Sequence, residues 1–286
     1  MLMTNAQSVR RIVGLVLLWA ILALGISTRV SAWGAVGHHI VARIAWAQMT
    51  PAARERATAL LEGGMDAFVA AATWADEVRQ ERPETYNWHF VNIHVSEGKY
   101  DAARHCPASD RGDCVIAAIA RLRTQVVDAS RPASLRAEDL KFLIHFVGDL
   151  HQPLHSIDNK DRGGNDVRVE ALRGEDGRAT NLHAAWDTGM INLSPETEAA
   201  RAERLLIDLA SRPTSADLDT VKWAEGNHDI ALKVVYRYPG FAPTGPPTNP
   251  VVLDEAYRKA AIEVIDRQLQ LGGVRLAALL NSLLSK

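Results

Sequence analysis

Apolar residues recur at helical spacing along most of the chain. Over residues 114–129, one helical face collects Val115, Ile119, Leu122 and Val126. The pattern continues over residues 135–151 with Leu140, Leu143, Ile144 and Val147. Thr50 followed by Pro51 is typical of a helix start, and Gly63-Gly64 is typical of a helix end. Further helices are predicted at 68–79, after Ser194-Pro195, and once or twice over 253–284.

Evidence for strands is confined to one short stretch. Residues 167–172 and 178–182 flank a Gly-Glu-Asp-Gly turn at 174–177, which predicts a β-hairpin. The Pro- and Gly-rich segment 239–250 is interpreted as a loop, since no composition change marks it as a domain linker, and no internal repeat is found. We therefore predict a mainly α fold, a single helical domain with a small β-hairpin.

The first 32 residues have a different pattern from the rest. Arg10 and Arg11 precede an apolar run from 12 to 26, and small residues at 30–32 offer a cleavage site. This order predicts a secretory signal peptide over 1–32, removed after Ala32, and a mature domain over 33–286. An uncleaved anchor is the alternative, but the apolar run is shorter than the roughly 20 residues of a membrane span. We expect a secreted or periplasmic protein.

Composition narrows the class of protein. The 286 residues are 47% hydrophobic and 23% charged, which excludes disordered and collagen-like chains. A formal charge of −2 gives no overall basic excess for holding a polyanion, so nucleic-acid binding needs a local site. Two cysteines exclude a thiolate metal cluster. Export permits a disulfide between Cys106 and Cys114 that closes a small surface loop, with two free thiols as the alternative, because spacing does not show bonding.

The ten histidines are the unusual part of the composition. His145 and Asp149 are four residues apart in a predicted helix, so their side chains leave one face a turn apart. His183 and Asp187 repeat this spacing. The remaining candidates of the same chemistry are His38, Asp76, His89 and His155. Imidazoles and carboxylates without thiolates suit a catalytic zinc site. A hydrogen-bonded core histidine or an ion-paired helix face is the alternative for each residue taken singly.

These segments together resemble the zinc-dependent S1/P1 family of single-strand-specific nucleases, which is related to the bacterial zinc phospholipases C. The resemblance covers nearly the whole of residues 33–286. It rests on the Trp33 to His38 spacing, Trp-Ala-Asp-Glu-Val-Arg at 74–79, His-Phe at 89–90, His-x-x-x-Asp-x-x-x-Pro-x-His at 145–155 and Asn-Leu-His-x-x-Trp-Asp at 181–187. Each segment alone is moderately specific, and the combination is very specific.

The resemblance implies three zinc ions held by nine residues. One zinc is expected on Asp76, His89, His145 and Asp149. A second, close to the first, is expected on the α-amine and carbonyl oxygen of Trp33, on His38 and on the other oxygen of Asp149. The third is expected on His155, His183 and Asp187. Because the amine of Trp33 exists only after cleavage, signal removal becomes part of activation.

The function that the resemblance implies is hydrolysis of single-stranded DNA and RNA to 5′-phosphorylated products, with 3′-nucleotides as further candidate substrates. Asp149 and Arg79 match the family's catalytic positions, Arg79 meeting charge on the phosphoryl oxygens. Phe90 matches the aromatic on which a base stacks. For Arg79 a surface salt bridge, and for Phe90 core packing, are the structural alternatives.

Two other functions stay open from the sequence. A zinc phospholipase C would use the same metal ligands, but Phe146 stands where those enzymes usually have tyrosine, and Phe90 favours a base over a lipid head group. A zinc-binding protein without catalysis would leave Arg79 without a clear role. No stable protein partner and no membrane span after signal cleavage are implied, and we expect a monomer.

Overall fold

Helices make up most of the structure, and their ends lie at residues that the sequence marks. The computed structural model describes residues 33–170, 180–211 and 216–285. The hydroxyl of Thr50 accepts a hydrogen bond from the backbone N–H of Ala53, and Pro51 occupies the first helical position, as predicted. The signal peptide expected over 1–32 and the turn expected at 174–177 lie outside the described residues.

The helices of the described residues differ widely in length. In chain order they are α1 (Ala35–Gln48), α2 (Pro51–Leu61), α3 (Met65–Ala70), α4 (Trp74–Val78), α5 (Ala102–His105), α6 (Val115–Gln125), α7 (Ala133–Asp149), α8 (Leu182–Ala184), α9 (Met190–Asn192), α10 (Glu198–Ser211), α11 (Thr220–Ile230) and α12 (Glu255–Leu284). Three 3-10 segments (Ala71–Thr73, Pro83–His89 and Pro153–Ser156) and two π-helical segments (Ala185–Gly189 and Ala231–Val235) lie between them.

The predicted hairpin is present and short. Strand β1 (Arg168–Val169) pairs antiparallel with β2 (Thr180–Asn181), with Arg168 opposite Asn181 and Val169 opposite Thr180. The prediction of a mainly α fold with a small hairpin is therefore confirmed. The last long helix is continuous, and the helix predicted over 68–79 is interrupted by the 3-10 turn at Ala71–Thr73. Among the described residues, no helix is both long and apolar enough to cross a membrane.

The core forms where α1, α7 and α12 pack together. Helix α1 lies along α12 and also contacts α10, while α7 packs against α6, α12 and α1. Every residue from 142 to 149 is buried, so the second half of α7 is surrounded by protein on all sides. Polar side chains on this part of α7 therefore need partners inside the protein.

A close approach between α1 and α7 brings their polar residues together. A Cβ atom at Gly148 would lie 2.8 Å from Nδ1 of His38, so any larger residue there would push the imidazole away. The glycine therefore lets His38 of α1 reach the end of α7, where Asp149 is the last helical residue. The described residues belong to one compact unit, and this junction lies in its interior.

Candidate metal centre

Four structural elements bring five of the predicted ligands into one group. His145 and Asp149 lie one turn apart on α7, and His38 lies on α1. His89 ends the 3-10 segment that begins at Pro83, and Asp76 lies on α4. All are buried except Asp76, whose side chain is 15% exposed. We call these five residues the paired group.

The carboxylate of Asp149 lies at the centre of the paired group, with its two oxygens facing different imidazoles. Its Oδ1 is 3.3 Å from Nε2 of His38. Its Oδ2 is 2.9 Å from Nδ1 of His89 and 3.2 Å from Nε2 of His145. Oδ1 of Asp76 is 3.7 Å from the same two nitrogens of His89 and His145. A carboxylate in this position can bridge two cations.

The hydrogen bonds of the paired group are incomplete in a way that fits a metal. Nδ1 of His145 donates to the carbonyl oxygen of Ala72 at 2.7 Å, so Nε2 is the nitrogen that faces the carboxylates and can bind a cation in place of a proton. Both ring nitrogens of His38 and Oδ1 of Asp149 are buried and form no hydrogen bond within the described structure. Buried polar atoms without partners cost free energy. A cation among them would remove that cost, so the donor set fits zinc.

Three of the other four predicted ligands, His155, His183 and Asp187, form a second cluster, which we call the third-ion group. Nδ1 of His155 donates to the carbonyl oxygen of His89 at 2.7 Å, and Nδ1 of His183 donates to that of Gly163 at 2.6 Å. The two Nε2 atoms, 3.2 Å apart, therefore present lone pairs to each other. Oδ2 of Asp187 lies 3.2 Å from Nε2 of His183. Facing lone pairs repel, and a shared cation removes the repulsion.

Asp187 is held by contacts that the sequence did not predict. It lies in the π-helical segment Ala185–Gly189, a distortion often found at functional sites. The side-chain amide of Gln152 donates to its Oδ1. The backbone N–H of Gly34 donates to its carbonyl oxygen at 2.9 Å, which places the neighbouring Trp33 beside this cluster. The Trp33 side chain is fully buried, so the chain is anchored here.

The electrostatics of both groups favour cation binding. Burial lowers the pKa of His89 to about 4 and that of His183 to about 3, so both imidazoles are neutral and able to act as ligands. Burial also disfavours a charge on His145, but the Asp149 and Asp76 carboxylates outweigh it and raise the pKa of His145 to about 9. The carboxylates of the paired group thus stabilise a positive charge at this buried position.

Arg79 and Phe90 lie beside the two groups. The guanidinium of Arg79 stacks 4.1 Å from the ring centre of Tyr86 and donates to the Tyr86 carbonyl oxygen at 3.1 Å. Burial is the main reason that the pKa values of His89 and His183 are lowered, and the positive charge of Arg79 lowers both further. Arg79 therefore acts on the paired group and on the third-ion group. The half-buried ring of Phe90 lies 6.2 Å from that of Tyr86, in an edge-to-face arrangement.

The structure also resolves the alternative left open for the cysteines. Cys106 and Cys114 form a disulfide that closes a loop of polar residues, with the Cα atoms 5.1 Å apart. Two contributing residues were not predicted: Gln152 and Tyr86. The sequence places Gln152 in the histidine-rich segment, close to predicted ligands. Its spacing does not indicate that its amide contacts Asp187, 35 positions away.

Comparison with known proteins agrees with the site geometry. The family model described as S1/P1 Nuclease matches residues 33–285. Endonuclease 2 of Arabidopsis thaliana is 28% identical over 299 residues, covering 98% of this chain and 99% of the relative. Nuclease P1 of Penicillium citrinum is 30% identical over 280 residues, covering 88% and 97%. Nuclease S1 of Aspergillus oryzae is 32% identical over 202 residues, covering 68% and 64%.

Proposed function

The chain belongs to the S1/P1 nuclease family, and from this premise we propose that it hydrolyses single-stranded DNA and RNA to 5′-phosphorylated products with three bound zinc ions. Hydrolysis of 3′-nucleotides is a second activity to be tested. Zinc dependence is a property of the family, and three clusters of His and Asp side chains here have ligand atoms close enough to share an ion.

The observation that supports the proposal most is the orientation of Asp149. Its Oδ1 faces His38 and its Oδ2 faces His89 and His145, so one carboxylate serves two positions. Paired metals clamp the oxygens of an in-line displacement at phosphorus. A carboxylate that only stabilised the fold would be expected to have its oxygens satisfied by hydrogen bonds, whereas Oδ1 has none within the described structure.

The proposed ligand assignment keeps the set that the family resemblance implies, and the contacts among the His and Asp side chains support it. The first zinc would be held by Asp76, His89, His145 and Oδ2 of Asp149. The second would be held by Oδ1 of Asp149, His38, and the α-amine and carbonyl oxygen of Trp33. The third would be held by His155, His183 and Asp187. Bound zinc would supply a water of lowered pKa and positive charge for the phosphoryl oxygens.

The chain's own residues complete the site. Arg79 lies within electrostatic reach of both groups, so its guanidinium can bind the phosphoryl oxygens as negative charge builds on them. Phe90 exposes part of its ring beside them and can stack a base, which orients the strand without reading its sequence.

Maturation and location form part of the proposal. Residues 1–32 act as a signal peptide, and their removal before Trp33 creates the α-amine that binds the second zinc. An amine with a pKa near 8 can lose its proton to a metal near neutral pH, whereas the nitrogen of a peptide amide cannot. The mature protein, residues 33–286, would act as a monomer in the periplasm or outside the cell.

The two alternatives are less well supported. A phospholipase C is not favoured, because the matched relatives are nucleases and endonucleases. A zinc-binding protein without catalysis gives no reason for Arg79 to lie within electrostatic reach of both groups, where its positive charge opposes zinc binding. The proposed function and the two alternatives predict different results in one assay.

The test uses the mature protein beginning at Trp33. Bound zinc is counted by elemental analysis, and the same preparation is assayed on single-stranded DNA, RNA and phosphatidylcholine, with and without a chelator. We expect about three zinc ions per chain and chelator-sensitive cleavage of the nucleic acids. Lipid cleavage alone would favour the phospholipase, zinc without turnover would favour the binding protein, and at most one zinc would contradict the ligand assignment.

A further inference from the structure

The guanidinium of Arg111 lies over the ring of Tyr86, the residue that also contacts Arg79. Its guanidinium carbon is 3.5 Å from the ring centre of Tyr86, and the side chain is exposed to solvent. Arg79 stacks on the same ring at 4.1 Å. Two guanidinium groups this close to one ring centre fit only on opposite faces, so Tyr86 lies between two arginines. No carboxylate pairs with Arg111 in the described part of the chain.

The loop that carries Arg111 is fastened to the segment that carries Tyr86. The carbonyl oxygen of Arg111 accepts a hydrogen bond from the backbone N–H of Asn87 at 2.8 Å. The Asn87 side chain donates to the carbonyl oxygen of Gly112 at 3.3 Å and to Ser109 Oγ at 3.2 Å. The disulfide between Cys106 and Cys114 closes the loop.

Gly112 allows this close contact. Its φ of +92° is a conformation that other residues rarely adopt, and a Cβ atom there would lie 2.5 Å from the carbonyl oxygen of Glu84. The loop therefore rests directly on the 3-10 segment. Arg111 is held in place before any ligand arrives, which reduces the entropy cost of binding through its long side chain.

The position of Arg111 relative to the proposed reaction is defined by Tyr86. The two guanidinium carbons are no further apart than the sum of their distances to the ring centre, a separation that neighbouring phosphates of one strand can match. Phe90 lies against the edge of the same ring. A strand whose base stacks on Phe90 and whose scissile phosphate lies at Arg79 would carry its next phosphate to Arg111.

We propose that Arg111, supported by Tyr86, binds a second phosphate of the substrate strand, adjacent to the phosphodiester that is hydrolysed. This inference rests on the proposed nuclease function and refines it. A subsite of this kind distinguishes oligonucleotides from substrates with a single phosphate. Arginine suits it because the planar guanidinium can stack on the ring while its N–H groups contact phosphate oxygens.

The test compares two substrates of the zinc-loaded mature enzyme. A dinucleoside monophosphate has one phosphodiester and cannot reach the subsite, whereas a tetranucleotide can. With Arg111→Gln we expect KM for the tetranucleotide to rise about tenfold, as for one lost charge-assisted contact, with little change in kcat. The ratio of KM for the dinucleoside monophosphate to KM for the tetranucleotide should therefore fall. The salt dependence of tetranucleotide binding should fall by about 0.7 in log–log slope.

Two further variants sharpen the result. Arg111→Lys keeps the charge but not the planar fork, so we expect an intermediate KM with a restored salt slope. Arg56→Gln removes an exposed arginine from α2, where it lines a surface cleft with Ser282 of α12, and should change neither ratio nor slope.

The possible outcomes separate the two claims. Zinc-loaded wild type that cleaves neither substrate would overturn the proposed function. Wild type that cleaves both, with an Arg111→Gln variant of unchanged KM ratio and salt slope, would overturn the second-phosphate subsite alone. A variant whose KM rises equally for both substrates would also overturn it, because the dinucleoside monophosphate does not extend to Arg111.

Discussion

The side-chain amide of Gln152 donates a hydrogen bond to Oδ1 of Asp187 across 2.5 Å, and both side chains are buried. The Gln152 carbonyl oxygen accepts from the backbone N–H of Leu154 at 2.6 Å, which fixes the amide orientation. Asp187 is thereby turned so that its Oδ2 faces Nε2 of His183 at 3.2 Å. Groups that orient metal ligands in this way influence metal affinity strongly.

Replacing Gln152 by leucine should therefore weaken the third-ion group. We expect its zinc affinity to fall by about 10- to 100-fold, because Asp187 loses the contact that orients it. Zinc retained per chain is measured against increasing concentrations of a competing chelator. Gln268→Leu is a matched control, since Gln268 is also buried but donates to the carbonyl oxygen of His151 and to Asn227. Equal retention in the two variants would contradict the prediction.

Replacement of the two aspartates that end the His-x-x-x-Asp pairs should lower the zinc content by different amounts. Asp149→Asn removes the shared ligand of the paired group, so we expect two zinc ions to be lost and turnover to fall on the order of 10³-fold. Asp187→Asn should release one zinc, because that residue contacts one cluster only. Elemental analysis and initial rates on single-stranded DNA measure both. Loss of the same number of ions from each variant would rule out a bridging role for Asp149.

A single residue added before Trp33 tests the proposed amine ligand. The backbone N–H of Gly34 donates to the carbonyl oxygen of Asp187, so the start of the proposed mature chain is held at the site. We expect the extended protein to bind about one zinc fewer and to lose most activity, because an amide cannot replace the amine. Adding one residue after Lys286 is the control. If zinc content and turnover stay the same in the N-terminal variant, Trp33 is not a ligand through its amine.

Asp161 is expected to stabilise the loop that supports His183. Its two oxygens accept from the hydroxyl of Tyr236 at 3.0 and 2.9 Å, and its Oδ1 also accepts from the backbone N–H of Gly164. Asp161→Ala would leave these buried donors unpaired, at a cost of about 3 kcal/mol in unfolding free energy. For a domain of this size we expect Tm to fall by about 10 °C.

A double-mutant cycle isolates the hydrogen bond from general damage. Tyr236→Phe removes the hydroxyl without creating a large cavity, and the double variant should be less destabilised than the two single effects combined. Thermal unfolding of all four zinc-loaded proteins measures the coupling. Strict additivity would mean that the contact between Asp161 and Tyr236 contributes nothing measurable to stability.

Local features of this protein could be predicted from its sequence because they depend on residues within one helical turn. The i, i+4 spacing placed His145 beside Asp149 and His183 beside Asp187, and the structure confirms both contacts. The capping pair Thr50-Pro51 likewise gave the start of α2. In each case local backbone geometry determines which groups meet.

Contacts between distant segments depended on how the helices pack. Only the tertiary structure shows that Gly148 lets His38 reach Asp149, that Gln152 orients Asp187, and that Arg111 stacks on Tyr86. The resemblance predicted which residues belong to the site, but residue spacing carries no information about the orientation of a carboxylate or the docking of a loop. Those are decided by packing and hydrogen bonding across the whole domain, where many residues far apart in sequence act at once.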